Sequence, residues 1–342
     1  MKFLVIGLGS MGKRRVRNLR CLGEKDVIGF DLKEDTRKES EEKYNIKTFR
    51  DIDKAMAENP DVLVISTPPN HHIEYELLAV KNKKHFFCEA GIFTEKVDEV
   101  KMLAEKNHLV AAPSCTFRFN SSVKKIKELV EKKRIGKLIA MTYHMGQYLP
   151  DWHPWEDITD FYVGQKETAA TREMVPFELE WLTWIMGEIK EISCIRGKVS
   201  NLEADIDDVY QLIFRFDNNA IGNLLIEVVS RTPLRILRII GEGGTIVWDW
   251  LDDTVRLYEA KTKKWKDFKE EKGFKEKGYL AKENMYIEEI RNFVNAIKGK
   301  EKYIYTINDD MKILYLLRAA EKAANDKKHI IMKTGDEFGV QK

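Results

Sequence analysis

The sequence predicts two successive folds: an α/β domain with a parallel sheet over residues 1–120, then an α+β domain with a large, mainly antiparallel sheet over residues 121–342. Three observations predict them. The apolar run Phe3-Leu4-Val5-Ile6 passes straight into a cluster of glycines. Strand-like and helix-like segments then alternate as far as Pro113, the pattern of a parallel sheet with crossover helices. Beyond Gly136, alternating and broadly apolar strand runs dominate instead.

A chain of 342 residues is long enough for two cores of ordinary size. Hydrophobic residues make up 43% and charged residues 33%, the balance of a globular protein. The 58 basic and 56 acidic side chains are interspersed and leave a net charge of +2, so neither nucleic acid nor an anionic membrane is an expected partner. Cys21, Cys88, Cys115 and Cys194 lie far apart without metal-ligand spacing, so no metal is expected. No apolar run is long enough to cross a bilayer, and Met1-Lys2 enters the first strand without a leader. These features point to reduced thiols and a cytoplasmic location.

The first strand, Phe3–Ile6, is followed by Gly7-Leu8-Gly9-Ser10-Met11-Gly12 and a helix over residues 13–22. Each glycine answers a separate demand: Gly7 the tight turn, Gly9 the approach of a diphosphate to the backbone, Gly12 close packing of helix on strand. A second strand, Val27–Phe30, ends in Asp31, 24 residues after Gly7, the distance at which an acid grips a ribose hydroxyl. Together these features predict a Rossmann-type domain for a dinucleotide, with Gly7, Gly9, Ser10, Met11, Gly12 and Asp31 as cofactor residues. Asp31 would repel a 2′-phosphate, which favours NAD over NADP; Lys33, Arg14 and Arg15 nearby temper that preference. Further strands at residues 61–66, 85–89 and 109–113 alternate with helices at 51–59, 73–82 and 96–107. Ligands of such sheets bind beyond the carboxyl ends of the strands. Thr67, Pro68, His72 and Glu89 therefore join the expected cofactor cleft, and Arg118 in the following loop joins the expected substrate contacts.

At this point the chain resembles the glucose–fructose oxidoreductase / inositol dehydrogenase family (Gfo/Idh/MocA). The resemblance rests on Gly7–Gly12, on Asp31, and on Ser66-Thr67-Pro68-Pro69 followed by His71-His72. It also rests on Cys88-Glu89 and the run Pro113–Asn120, and it extends over nearly the whole chain. It implies a carbohydrate-type substrate and a homodimer or homotetramer formed through the second sheet. Two departures stand out. Where the family carries Glu-Lys-Pro, with the lysine near the reacting hydroxyl, this chain has Glu89-Ala90-Gly91. The family's Asp-x-Gly-x-His falls on Glu173-Met174-Val175-Pro176-Phe177, so the usual histidine becomes Phe177.

In the second half, strands are expected at residues 138–143, 209–216, 221–229, 234–240 and 245–250. Residues 146–155 (Gly-Gln-Tyr-Leu-Pro-Asp-Trp-His-Pro-Trp) and their continuation to Glu173 are rich in aromatic, proline and polar residues. Aromatic faces stack on sugar rings, and Arg or Lys clamps anionic groups, so Trp152, Lys166 and Arg172 are candidate substrate contacts; a purely structural loop or a subunit contact would read the same way. His153, Tyr162 and Glu178 are candidates to replace the missing acid–base groups. Glu178 lies on a helix expected over 173–185, one residue past Phe177. Helices over 283–297 and 309–324 read as packing elements without chemistry, and the charged run 261–277 as a solvated hairpin or loop. Two functions fit: an NAD(H)-dependent oxidoreductase of a hydroxyl or carbonyl on a sugar, sugar nucleotide or polyol, or a dinucleotide-binding regulator or scaffold without turnover.

Overall fold

The computed structural model describes residues 1–154, 156–269, 273–276 and 282–332. Trp155, residues 270–272 and 277 of the charged run, and the last ten positions of the expected second domain therefore lie outside the described residues. In chain order the first part runs β1 (Phe3–Ile6), α1 (Ser10–Cys21), β2 (Val27–Phe30), α2 (Glu34–Tyr44), β3 (Lys47–Phe49), α3 (Ile52–Ala57), β4 (Val62–Ile65), α4 (His72–Lys81), β5 (His85–Cys88), α5 (Val97–Lys106) and β6 (Ala111–Pro113). Then follow α6 (Ser121–Glu131), β7 (Leu138–Gly146), α7 (Ala170–Met186), β8 (Ile189–Gly197), β9 (Val209–Phe216), β10 (Ile221–Glu227) and β11 (Leu234–Gly241). The chain ends with β12 (Gly244–Asp249), β13 (Thr254–Glu259), β14 (Lys264–Lys269), α8 (Asn284–Ile297), α9 (Ile307–Asp326) and β15 (Ile330–Ile331).

Two compact units emerge: Met1–Phe119 with Gly273–Lys312, and Asn120–Lys272 with Ile313–Lys342. The first break falls beside the sequence boundary at 120/121. The segment Gly273–Lys312, placed in the second domain by chain position, belongs to the first unit.

In the first unit six parallel strands lie in the order β3-β2-β1-β4-β5-β6. The order reverses at β1, so a crevice opens beyond the carboxyl ends of β1 and β4. Successive side chains of a strand point to opposite faces, and each face needs its own cover. Leu4 and Ile6 pack with Leu77, Val80, Val97 and Val100 of α4 and α5. Phe3 and Val5 pack with Val16 and Leu19 of α1 and with Ile290, Phe293 and Val294 of α8. The returning segment thus completes the second face, which is why it joins this unit.

In the second unit nine strands lie in the order β14-β13-β12-β11-β7-β10-β9-β8-β15. Every described pairing is antiparallel except β7 with β10. Tyr143, Leu212, Phe214, Leu224, Leu237 and Trp248 are buried on one face, while Ile195, Ile213, Ile221 and Ile236 on the other stay 41–78% exposed. The charged run begins as the expected hairpin, a turn leading into β14. Among the described residues no helix is long and apolar enough to cross a membrane, and the four cysteines are free thiols.

Candidate cofactor and catalytic sites

The glycine loop is shaped by contacts that side chains would destroy. Gly7 adopts φ +85°, and a Cβ there would lie 2.7 Å from the Ser66 carbonyl oxygen, so β1 turns directly against the end of β4. A Cβ on Gly12 would sit 1.8 Å from the Gly7 carbonyl oxygen, which fixes how closely α1 packs. Gly9 differs: a Cβ there would meet nothing within 4 Å. Gly9 caps α1 without a side chain, and the first turn carries no acid. A helix amino terminus offers amide donors and the positive end of its dipole, so open space beside this one suits a diphosphate.

Asp31 ends β2 and braces that loop. Its Oδ2 accepts from the Leu8 amide at 2.8 Å and its Oδ1 from the Lys33 amide at 2.8 Å. A carboxylate has about four lone-pair sites, so capacity remains for a ribose diol. Arg37 donates to the carbonyls of Asp31 and Leu32 at 2.9 and 3.0 Å, holding the β2–α2 turn.

On the other side of β1, His72 Nε2 donates to the Thr67 carbonyl at 2.8 Å, because a carbonyl can only accept. Its Nδ1 is therefore a bare acceptor, and burial pulls the imidazole down to about 4, so the ring is neutral at physiological pH. Nδ1 of His72 and Oγ1 of Thr67 are buried with no hydrogen-bond partner among the described residues. Such groups are costly unless a ligand or water satisfies them. The open cradle at Gly9 and these two orphans fit a dinucleotide lying along the strand ends.

Glu89 is held more tightly than expected of a cofactor contact. The Arg15 guanidinium grips its two oxygens at 2.6 and 2.8 Å. Ala90 beside it has no group that can carry a proton. Arg118 is nearly buried, its guanidinium 4.6 Å from the Tyr305 ring centroid. α8 supplies Glu289 to this cluster, and Glu283, the residue before α8, receives Arg14 Nε at 3.0 Å. Nothing in the sequence links these carboxylates to arginines some 270 positions away.

In the second unit the aromatic loop has its own small core: Leu149, Val163, Ala169, Ala170, Leu202 and Val228, with Trp152, Phe161 and Tyr162 against it. His153 stacks on Phe161 at 4.1 Å and pairs through Nδ1 with Glu156 at 3.3 Å. Tyr162 donates to Glu173 at 3.5 Å. Lys166 is exposed. Arg172, expected to clamp substrate, is committed to Glu321 at 2.6 Å and to the Glu167 carbonyl at 2.8 Å. Glu178 is fully buried and takes three donors: the Tyr143 hydroxyl at 2.8 Å, the Trp181 indole at 2.8 Å and Arg235 Nε at 3.0 Å. The helix carrying it starts earlier than expected, at Ala170, and presents Glu178 to the sheet rather than to solvent. Burial, reinforced by that carboxylate, pushes the Tyr143 phenol well above its ordinary range. Among the described residues no three His, Cys, Asp or Glu side chains are placed to hold a metal ion.

Residues 1–114 match the oxidoreductase family with an NAD-binding Rossmann fold, and residues 123–247 match the GFO/IDH/MocA C-terminal domain. The chain belongs to the Gfo/Idh/MocA oxidoreductase family. Its first unit is an NAD-binding Rossmann domain, and the protein is a dehydrogenase by family. A myo-inositol 2-dehydrogenase of Thermotoga maritima is 25% identical over 96% of this chain and 98% of its own length. A levoglucosan dehydrogenase solved with NADH shares the fold (TM-score 0.84, 16% identity, 97% of this chain and 99% of that one). So does an oxidoreductase from Desulfitobacterium hafniense described as NADPH-dependent (TM-score 0.82, 15% identity, 96% and 97%).

Proposed function

We propose that this protein is an NAD(H)-dependent dehydrogenase of a hydroxyl or carbonyl on a sugar, sugar nucleotide or polyol. The cofactor cradle carries the reading: the open backbone at Gly9, the brace at Asp31 and the orphaned acceptor of His72. The carbohydrate class is supported by the inositol and levoglucosan dehydrogenases to which the chain is similar. NAD is preferred to NADP because the Asp31 carboxylate would face a 2′-phosphate with like charge.

When bound, the nicotinamide accepts or donates hydride at a carbinol carbon. The chain's part is to hold the diphosphate at α1 and the adenosine ribose at Asp31, and to move the hydroxyl proton. Ala90 and Phe177 cannot move it, and Glu178 is walled in by Tyr143, Trp181 and Arg235. We assign the proton to His153 or Tyr162, each paired with a carboxylate, Glu156 and Glu173 respectively. Trp152, Lys166 and Arg118 are the proposed substrate contacts; Arg172 shapes the loop through Glu321. The exposed isoleucines on one face of the second sheet support assembly into a homo-oligomer. Thiols left free and balanced charge support a cytoplasmic protein.

The test is a screen of inositols, aldoses, anhydro sugars and sugar nucleotides with NAD and NADP, followed by nicotinamide absorbance. His153→Ala or Tyr162→Phe should lower kcat by about 10²- to 10⁴-fold, the usual contribution of a general acid or base, with NADH affinity unchanged. The substitutions at Ala90 and Phe177 also favour a second reading, a dinucleotide-binding regulator without turnover. Tight NADH binding with no turnover across the screen would select it.

A further inference from the structure

Two carboxylates and one guanidinium form a buried chain beneath the loops that follow β5 and β6. Arg15 and Glu289 are both fully buried. Arg15 donates hydrogen bonds to Glu89 at 2.6 and 2.8 Å through Nε and Nη2, and its Nη1 forms an ion pair with Glu289 at 2.9 Å without hydrogen-bond geometry. Its guanidinium also lies 4.5 Å from the Phe87 ring centroid. Glu289 in turn accepts from Ser114 Oγ at 2.9 Å, the Cys115 amide at 2.6 Å and Thr116 Oγ1 at 2.8 Å. One connected network thus ties α1 and α8 to the residues that leave two neighbouring strands.

Packing alone does not require this. Apolar residues of similar volume would fill the same space with equal or greater stability, because burying Arg15 and Glu289 carries a large desolvation penalty. What the network supplies is fixed geometry, since the hydrogen bonds and ion pair of a buried polar network hold the elements they connect in one arrangement. Its place is informative. Asp31 ends β2, on one side of the reversal at β1; β5 and β6 lie on the other side. A dinucleotide with its adenosine ribose at Asp31 and its diphosphate at α1 extends its nicotinamide half toward the β4–β6 side.

We propose that Arg15 and Glu289 are positioning residues for the nicotinamide half of the cofactor, setting the loops at Glu89–Gly91 and Ser114–Thr116 as the wall beside that ring. The returning segment, through Glu289, then controls how the ring is presented, while the glycine loop and Asp31 hold the adenine half. This rests on the NAD(H) reading above.

The experiment compares NADH with ADP-ribose, which lacks the nicotinamide ring, by calorimetry. Wild-type protein binding neither would remove the cofactor reading itself, separately from this proposal. With wild-type binding in hand, Glu289→Gln should raise the Kd for NADH about tenfold, equivalent to ~1.4 kcal/mol, and that for ADP-ribose less than about twofold. Thr116→Val deletes a single donor to Glu289 and carries the test if Glu289→Gln does not fold. It should raise the NADH Kd about threefold, again sparing ADP-ribose, by loss of one hydrogen bond to a charged group. Equal shifts for both ligands, or no shift for either, would overturn the proposal, because loosening of the whole unit acts on both alike.

Discussion

Asp31 accepts a hydrogen bond from the Leu8 amide at 2.8 Å. The acid at the end of β2 therefore shapes the glycine loop as well as offering a ribose contact. Asp31→Asn keeps one oxygen for Leu8 but loses the charge. NADH affinity should fall by about 1.5–3 kcal/mol, the worth of hydrogen bonds to a charged group, and the preference for NADH over NADPH should narrow. Calorimetry with both cofactors measures this; an unchanged ratio would remove Asp31 from cofactor choice.

Glu178 is a structural anchor. Removing it takes the paired carboxylate from Arg235, whose side chain is only 11% exposed. Glu178→Ala should cost about 3–5 kcal/mol of stability, as broken buried ion pairs do, read as a lower urea midpoint. Replacing Arg235 as well, by Met, should recover part of the loss. A variant of normal stability with abolished turnover would return Glu178 to the acid–base candidates.

Two carboxylic acids in the first unit carry a pH signature. Burial pushes Glu76, hydrogen-bonded to Cys88, and Asp310, bonded to the Tyr305 hydroxyl at 3.0 Å, up to about 7; Glu76 and Asp309 add to the rise at Asp310. Their ordinary values are 4.5 and 3.8, so the unfolded chain loses these protons first. Stability is therefore fully present below about pH 4, falls as pH rises toward 7, and levels off above it, by at most ~1.4 kcal/mol per pH unit per group. Denaturant melts at acid and mildly alkaline pH should show that slope, and Glu76→Gln with Asp310→Asn should flatten it.

His72, held near 4 by burial, should not titrate across the physiological range. Its imidazole C2-proton resonance should stay flat from about pH 5.5 to 8, where an exposed histidine swings through its ordinary pKa of about 6.5. A midpoint near neutrality would mean that Nδ1 is not the acceptor assigned to it.

Much of the cofactor half was legible because its signals are local. The run Phe3–Ile6, the glycines and Asp31 lie within 31 residues and act through backbone geometry. Elements without a local signal were not read: α2 is almost wholly polar and buries only Ser40, so no apolar stripe marks it. The placement of Gly273–Lys312 and the Glu89–Arg15–Glu289 network depend on contacts across most of the chain. Glu289 looks like any glutamate on an amphipathic helix until α8 is seen against α1. The surroundings of Glu178 were hidden for a different reason. It is the sequence neighbour of Phe177, but helical geometry turns that single step toward the sheet.

The most direct measurement is NADH binding to wild type and Gly9→Val side by side. Gly9 has φ −65° and ψ −158°, which any residue can adopt, and a Cβ there meets nothing within 4 Å. The variant should keep its melting temperature yet lose NADH binding, because valine fills the space assigned to the diphosphate. NADH binding to Gly9→Val with wild-type affinity, or no binding by the wild type, would contradict the account.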